Sequence, residues 1–256
     1  MMGVQERFRL DGKVAVVTGA TKGIGFEICR VLADAGADII AMGRDEGGLA
    51  DVAREVEALG RKCHRVPVDL ADAPAVKKAA ARALEIAPDI DVLVNNAGIA
   101  LNEPLLEATV ENWDMTQAVN LRAPFLMAQA IVPQMIRRGA GKIVNVSSQT
   151  SQLALQDHGA YAASKNGLNA LTKVMTIEWA KHNIQCNAVL PTVILTPMGE
   201  MVWGKPEKGD PMKARIPQGR FGSTTEVADV VLFLSTTASD MVNGETVLVD
   251  GGYTAQ

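Results

Sequence analysis

The sequence predicts an α/β fold in which a parallel sheet is covered by helices on both faces. Short apolar runs rich in β-branched residues alternate with longer segments of helical periodicity. Most runs lack the apolar–polar alternation of a half-exposed strand, as expected for parallel strands buried on both faces. Repeated strand–helix alternation is typical of such a sheet. The predicted strands are Val14–Val17, Asp38–Met42, Cys63–Val68, Asp91–Val94, Lys142–Val146, Ile184–Leu190 and Thr246–Val249.

Helical segments lie between these strands without a Pro/Ser-rich linker, so the chain is interpreted as one domain, 1–256. A stretch rich in proline and glycine, about 196–220, is too long for an ordinary connection. We expect it to be a mobile lid over a site, the alternative being a surface insertion. The helices are predicted near 24–35, 46–59, 72–86, 111–138, 161–181 and 225–237.

Composition and charge exclude several classes of function. A hydrophobic content of 48% suits a large globular core. A net charge of -4 and an aromatic content of 4% argue against nucleic-acid binding. The sequence shows no membrane-length apolar run and no signal peptide. Cys29, Cys63 and Cys186 lack metal-ligand spacing, so we expect reduced thiols, no metal site and a cytoplasmic location.

A glycine-rich turn follows the first strand, where residues 18–25 read TGATKGIG. Glycines in a strand-to-helix turn let phosphates approach the backbone N–H groups and the positive end of the helix. We therefore expect a dinucleotide site, and the alternative is a tight turn with no ligand. The residues predicted to contact the cofactor here are Gly19, Thr21, Lys22, Gly23, Ile24 and Gly25.

The end of the second strand bears on which dinucleotide is bound. Sites that prefer NAD usually place a carboxylate there for the ribose diol, but this chain has Gly43 followed by Arg44. With Lys22, two cations favour the extra phosphate of NADP(H), while neighbouring Asp45 keeps NAD(H) possible. The alternative is that both cations are solvated surface charges. After the third strand, Asp69 and Leu70 are candidates for the adenine end, although Asp69 could instead begin a helix.

Tyr161 and Lys165 are four residues apart in a predicted helix and so lie on one face of it. The pKa of a phenol is ordinarily about 10. A fixed ammonium beside the phenol would lower that pKa and produce an acid/base suited to neutral pH. The spacing alone is common, so other motifs must support this interpretation.

Further motifs follow the fourth and fifth strands: NNAG at 95–98 and NVSS at 145–148, with Asn120 in the long helical segment between them. Together with the glycine turn and the Tyr161/Lys165 pair, they resemble the short-chain dehydrogenase/reductase superfamily in order and spacing over nearly the whole chain. The resemblance implies a single Rossmann-type, doubly wound parallel sheet of about seven strands in the order 3-2-1-4-5-6-7. It also implies a nicotinamide cofactor and a homotetramer.

The resemblance assigns roles by position. Tyr161 matches the family's acid/base, and Lys165 matches the lysine that lowers the phenol pKa and holds the nicotinamide ribose. Ser148 matches the serine that hydrogen-bonds the substrate oxygen, with Ser147 as second choice. Asn120 matches the asparagine that holds a water between the lysine and solvent. Cofactor contacts implied elsewhere are Asn96, Ala97, Gly98, Tyr161, Lys165, Pro191, Thr192, Val193 and Thr196.

A narrower resemblance is to the dicarbonyl/L-xylulose reductase branch. It is carried by NVSSQTSQ at 145–152, LTKVM at 171–175 and NAVLPTV at 187–193, where many superfamily members have Pro-Gly in place of Pro191-Thr192. The substrate side is expected to include Ser148, Gln149, Gln152, His158, Thr192 and Trp203. His158 could instead be a solvent-facing loop residue, and Trp203 could be lid packing or a subunit contact.

The resulting expectation is an NAD(P)-dependent oxidoreductase that interconverts a carbonyl and a secondary alcohol, on a sugar, polyol or small dicarbonyl. One alternative is a 3-oxoacyl carrier-protein reductase, which would need a basic docking patch. Candidates for that patch are Arg122, Arg137, Arg138 and Lys142. An alternative of another class is a non-catalytic nucleotide-binding scaffold on the same fold.

Overall fold

A single parallel sheet of seven strands organises the residues that the computed structural model describes, which are 3–196, 199–200 and 203–255. The strands are β1 Val14–Thr18, β2 Asp38–Gly43, β3 Cys63–Pro67, β4 Val92–Asn95, β5 Gly141–Val146, β6 Ile184–Pro191 and β7 Thr246–Val249. Their order is β3-β2-β1-β4-β5-β6-β7, and each neighbouring pair is parallel. The predicted fold and strand order are confirmed.

Helices cover both faces of the sheet and divide the core into two layers. The helices are α1 Val4–Arg7, α2 Gly23–Asp34, α3 Glu46–Ala58, α4 Ala73–Ile86, α5 Val110–Gln117, α6 Ala123–Arg138, α7 Gly159–Trp179, α8 Pro206–Ala214 and α9 Thr224–Ser235. Ala15 and Val17 of β1 pack with α2, α3 and α9, while Val16 packs with α4 and α6. This split follows from the alternation of side chains along a strand. None of the described helices is long and apolar enough to cross a membrane.

The structure differs from the sequence prediction at the long helix 111–138. That segment is interrupted by a π-helical turn, Ala118–Arg122, between α5 and α6. The turn buries Asn120, whose carboxamide bonds to the backbone of Ile99 beyond β4. Such turns often occur at functional sites because they redirect one side chain without ending the helix.

The predicted lid, about 196–220, contains a helix that sequence analysis did not predict. Within α8, Met212 packs with Ile216, Phe221 and Tyr253 in a small third core cluster. Proline and glycine suggested a loop, but Pro206 occupies the first helical turn, where its missing N–H costs little. Part of the predicted lid, residues 197, 198, 201 and 202, lies outside the described residues.

Candidate active site

The turn after β1 is closed by glycines and held by Asn96. The Asn96 carboxamide donates hydrogen bonds to the backbone oxygens of Thr18 (3.0 Å) and Gly19 (3.1 Å). Gly19 has a φ of 65°, in the left-handed region that favours glycine. A Cβ at Gly25 would lie 2.1 Å from the Gly19 carbonyl oxygen. The turn therefore leaves the amino end of α2 free of side-chain bulk, as a pyrophosphate requires.

Two exposed cations stand beyond β1 and β2. Lys22 and Arg44 join no ion pair within the described part of the chain. The carboxylate of Asp45 accepts a hydrogen bond from the Gly47 N–H (3.1 Å) and caps α3. Because this carboxylate already serves the helix, the arrangement suits the extra phosphate of NADP better than the ribose diol of NAD.

Beyond β3, the structure places Asp69 on the surface and Leu70 in the core. One Asp69 carboxylate oxygen accepts the Ala71 N–H at 3.0 Å. This local turn orients the Asp69 carboxylate. Its role at the adenine end stays a prediction.

Asn120 ties the loop after β4 to α7. Its Oδ1 accepts the Ile99 N–H (2.8 Å), and its Nδ2 donates to the Ile99 carbonyl (2.9 Å) and to Ser164 Oγ (3.0 Å). Ser164 donates in turn to the Tyr161 carbonyl (2.7 Å). Both amide protons of Asn120 are therefore used. Only Oδ1 and the backbone keep capacity for the water that the resemblance implies.

Lys165 is buried, with 3% of its surface exposed, and its ammonium donates a 2.7 Å hydrogen bond to the carbonyl of Val146 at the end of β5. A Cβ at Gly98 would lie 3.2 Å from this nitrogen and 3.5 Å from Asn120 Oδ1. Glycine at 98 thus makes room for the ammonium. Burial lowers the pKa of Lys165 to about 8, so the group remains largely cationic at neutral pH.

Tyr161 departs from the prediction made from its spacing to Lys165. Burial raises the pKa of the phenol, and a hydrogen bond with Ser148 offsets only part of that rise. The net shift is therefore opposite to the expected one: the Lys165 ammonium lies 5.7 Å from the ring centre and donates to the Val146 carbonyl, so its attraction for the phenolate does not outweigh burial. At neutral pH the phenol keeps its proton, which suits proton donation.

The segment after β6 lies between the glycine turn and the lid cluster. Pro191 ends β6 and is buried, and the Thr192 Oγ1 is buried with no hydrogen-bond partner among the described residues. Val193 packs against the lid cluster. A Cβ at Gly23 would lie 3.1 Å from the Thr196 methyl carbon, so this segment reaches the glycine turn.

The residues predicted for the substrate side lie in different surroundings. Gln149 follows Ser148 directly, and its Oε1 is buried with no hydrogen-bond partner in the described ranges. Gln152 is exposed and its amide points to Thr246 Oγ1, 3.4 Å away. Trp203 packs with the lid cluster around Tyr253, as the alternative interpretation had it.

His158 begins α7 with both ring nitrogens engaged. The carbonyl of Gln156 must accept from Nδ1–H, so Nε2 accepts from the Asn102 amide at 3.1 Å. The imidazole meets the Tyr161 ring edge-on, with centroids 6.2 Å apart. His158 therefore contacts Tyr161 and the loop after β4. It is partly exposed, and both of its ring nitrogens have partners.

Two serine and threonine roles differ from the sequence prediction. Ser147, the second choice for the substrate serine, donates to the Lys165 carbonyl (3.0 Å) and braces α7. Thr150 was not singled out, yet its N–H (3.2 Å) and Oγ1 (2.8 Å) both donate to Ser148 Oγ. A threonine two residues after a serine is the pattern of a local polar turn and could have signalled this contact.

Comparison with known proteins agrees with this geometry. Residues 19–254 match a family model described as enoyl-(acyl carrier protein) reductase. The chain is 46% identical to L-xylulose reductase of Bos taurus over 248 residues, covering 96% of this chain and 98% of the relative. It is 41% identical to NAD-dependent glycerol dehydrogenase of Listeria innocua over 252 residues, covering 98% of both.

Among solved structures, the chain resembles gluconate 5-dehydrogenase of Burkholderia cenocepacia J2315 in complex with NADP and tartrate. The TM-score is 0.93 at 38% identity, covering 99% of this chain and 100% of that one. The match extends over the glycine turn, the sheet and the Ser148, Tyr161 and Lys165 positions. The chain therefore belongs to the short-chain dehydrogenase/reductase superfamily of NAD(P)-dependent oxidoreductases, in its L-xylulose reductase branch.

Proposed function

We propose that this enzyme reduces the carbonyl of a short open-chain sugar or small dicarbonyl with NADPH and oxidises the corresponding polyol in reverse. The observation that carries this proposal is the meeting of Ser148, Tyr161 and Lys165 at the carboxyl edge of the sheet. There the Lys165 ammonium bonds to the end of β5 and lies 5.7 Å from the centre of the Tyr161 ring, and Ser148 lowers the pKa of Tyr161. Ligands of doubly wound sheets bind at this edge.

Bulk at Gly25 would collide with the Gly19 carbonyl oxygen, so glycine allows the tight turn that a dinucleotide pyrophosphate needs. When bound, a nicotinamide cofactor supplies or accepts the hydride. Lys22 and Arg44 would hold the extra phosphate of NADP(H), while NAD(H) stays possible, as the NAD-dependent relative indicates. The remaining contacts are proposed for Thr21, Gly23, Ile24, Asp69, Leu70, Asn96, Ala97, Gly98, Pro191, Thr192, Val193 and Thr196.

In the reduction direction, Ser148 Oγ and the Tyr161 hydroxyl donate hydrogen bonds to the substrate carbonyl oxygen and hold it. As that oxygen gains negative charge, Tyr161 transfers its proton to it, giving the alcohol and a phenolate. The raised pKa of Tyr161 keeps this proton available at neutral pH. Lys165, cationic below its pKa of about 8, stabilises the phenolate, and Asn120 fixes the helix that carries both groups.

The substrate class is supported by two unpaired oxygens on the segments that follow β5 and β6. Gln149 Oε1 and Thr192 Oγ1 are buried, with no hydrogen-bond partner among the residues that the structure describes. A buried acceptor without a donor is costly, and a polyhydroxylated substrate would supply the missing donors. The relatives act, by their names, on xylulose, glycerol and gluconate, which all carry several hydroxyl groups.

The carrier-protein alternative is supported by the description of the matching family model. Its predicted basic patch, however, is largely engaged elsewhere. Arg122 donates to the Ala71 carbonyl, Arg138 pairs with Asp91, and Lys142 pairs with Asp240. Lys142 is the second residue of β5, so it lies at the amino end of that strand, opposite the carboxyl edge where the site is. A non-catalytic scaffold, in turn, would not need the buried Lys165 ammonium beside Tyr161.

The domain and assembly predictions are also part of the proposal: one domain, a lid near 196–220, a homotetramer and a cytoplasmic location. The unpaired thiols suit a reducing compartment.

Apolar side chains exposed on α5, α6 and α7 support a subunit contact. They are Trp113, Met115, Phe125, Val174 and Ile177. Ile177 is 81% exposed, so Ile177→Glu is expected to split the assembly in light scattering without unfolding the subunit.

A substrate panel tests the function. Oxidation of NADPH and NADH is followed by absorbance with xylulose, diacetyl and an acetoacetyl thioester. We expect turnover of xylulose or diacetyl with a preference for NADPH. Turnover of the thioester alone would establish the carrier-protein alternative, and no turnover of any of the three carbonyls would favour a scaffold.

A further inference from the structure

Thr150 uses up the accepting capacity of the Ser148 hydroxyl. A serine hydroxyl has one proton to donate and two lone pairs that accept. Thr150 Oγ1 donates to Ser148 Oγ at 2.8 Å, and the Thr150 N–H donates to the same oxygen at 3.2 Å. The only hydrogen-bonding capacity left to Ser148 is its own proton. Ser148 lowers the pKa of Tyr161, so the phenol lies within reach of that proton.

We infer that Thr150 is a positioning residue that makes Ser148 a hydrogen-bond donor toward the substrate carbonyl oxygen. This role rests on the proposed function of Ser148. A serine hydroxyl free to rotate could donate its proton to a neighbouring acceptor. Its lone pair would then face the substrate carbonyl oxygen, and the two oxygens would repel each other. With two donors from Thr150 on Ser148 Oγ, that orientation is disfavoured before the substrate arrives.

The turn that carries Thr150 is fixed to the helix that carries Tyr161. Ser151 Oγ donates to the Ser148 carbonyl (2.6 Å), and Asn169 on α7 donates to Ser151 Oγ (2.7 Å). Asn166, also on α7, donates to the Ser151 carbonyl (3.1 Å). Bonds of this kind hold residues 148–151 in register with the phenol.

Water cannot easily replace the Thr150 hydroxyl as the donor. Thr150 is 6% exposed and Ser148 is 7% exposed. Loss of the Thr150 hydroxyl would therefore leave Ser148 Oγ with the weaker backbone donor alone, and its proton would be less strictly directed. Because Ser148 donation lowers the pKa of Tyr161, poorer direction would also let that pKa rise further.

The test compares Thr150→Val, which keeps the branched shape without the hydroxyl, with Thr150→Ser, which keeps the hydroxyl. Thr150→Val is expected to lower kcat for the best carbonyl about tenfold, as for loss of one transition-state hydrogen bond. The Kd for NADPH should stay within twofold, and the apparent pKa of the pH profile for alcohol oxidation should move upward. Thr150→Ser should restore most of kcat. Thr116→Val, which removes a buried hydroxyl bonded to the Asn112 carbonyl, serves as the control.

A Thr150→Val enzyme with kcat within twofold of wild type would overturn the inference, as would a loss that Thr150→Ser does not restore. If Thr150→Val does not fold, Thr150→Ala replaces it in the same comparison. Ser148→Ala separates the two levels of the account. If Ser148→Ala is inactive while Thr150→Val is unimpaired, only the role of Thr150 fails. If Ser148→Ala keeps full activity, the proposed function of Ser148 fails as well.

Discussion

Gly98→Ala is expected to shift the Lys165 ammonium while leaving the lysine side chain itself unchanged. The added Cβ would stand 3.2 Å from Lys165 Nζ, where ordinary contacts begin at 3.4 Å, so one group must yield by a few tenths of an ångström. Asn120 is held by three hydrogen bonds, so the flexible lysine is expected to move. That movement lengthens its 2.7 Å bond to the Val146 carbonyl.

The expected loss follows from the size of that shift. A displacement of about 1 Å at a catalytic group can cost about a hundredfold in rate, so a few tenths should lower kcat roughly three- to tenfold. The assay is steady-state NADPH oxidation at saturating cofactor, with the Kd for NADPH measured by fluorescence titration and the fold checked by thermal denaturation. A kcat equal to that of wild type would refute the view that Gly98 makes room for the ammonium.

Gly167→Ala is the matched control for Gly98→Ala. Its added Cβ would meet the end of the Leu121 side chain at 3.0 Å, which is at least as close. The contacting atom, however, belongs to a flexible apolar side chain that can turn aside. We therefore expect kcat to be unchanged in Gly167→Ala, and an equal loss in both variants would mean that the effect is not specific to Lys165.

Three further predictions concern pH, cofactor and lid. Carbonyl reduction should slow above about pH 8, where Lys165 loses its proton. Alcohol oxidation needs the Tyr161 phenolate as the base, and because the pKa of Tyr161 is raised, oxidation should become faster as the pH increases. Identical pH profiles in both directions would contradict this. Arg44→Ala should raise the Kd for NADPH roughly tenfold or more and leave that for NADH unchanged, with Arg54→Ala on α3 as the control. Tyr253→Ala should cost about 3 kcal/mol in a denaturant titration because this side chain is 1% exposed in the lid cluster, while a loss below about 1 kcal/mol would show that the cluster is loose.

The strands and their ends were predictable from sequence because parallel strands buried on both faces leave a direct apolar signal. Glycine turns and the Asn145–Ser148 segment could then be assigned to one edge of the sheet. The π-helical turn at Ala118–Arg122 was not predictable in this way. The sequence of this turn shows no change in composition from the helices beside it, and its partner Ile99 lies 21 residues before Asn120 in the chain.

Helix α8 and the pKa of Tyr161 show a second limit of sequence reasoning. Gly209 and Pro211 argue locally against a helix, but Met212 of α8 is 5% exposed in the Tyr253 cluster, a tertiary contact that the local sequence does not reveal. The spacing of Tyr161 and Lys165 predicts proximity but not burial. Burial decides the direction of the pKa shift here, since it removes the phenol from water while the ammonium is held by a carbonyl.

The most direct measurement of the central claim is kcat for carbonyl reduction by Tyr161→Phe. This variant keeps the ring against His158 and removes only the hydroxyl that donates the proton. We expect kcat of Tyr161→Phe to fall at least ~10²-fold, while its Kd for NADPH and its thermal stability stay close to those of wild type. A Tyr161→Phe enzyme that turns over within a few-fold of wild type would contradict the account.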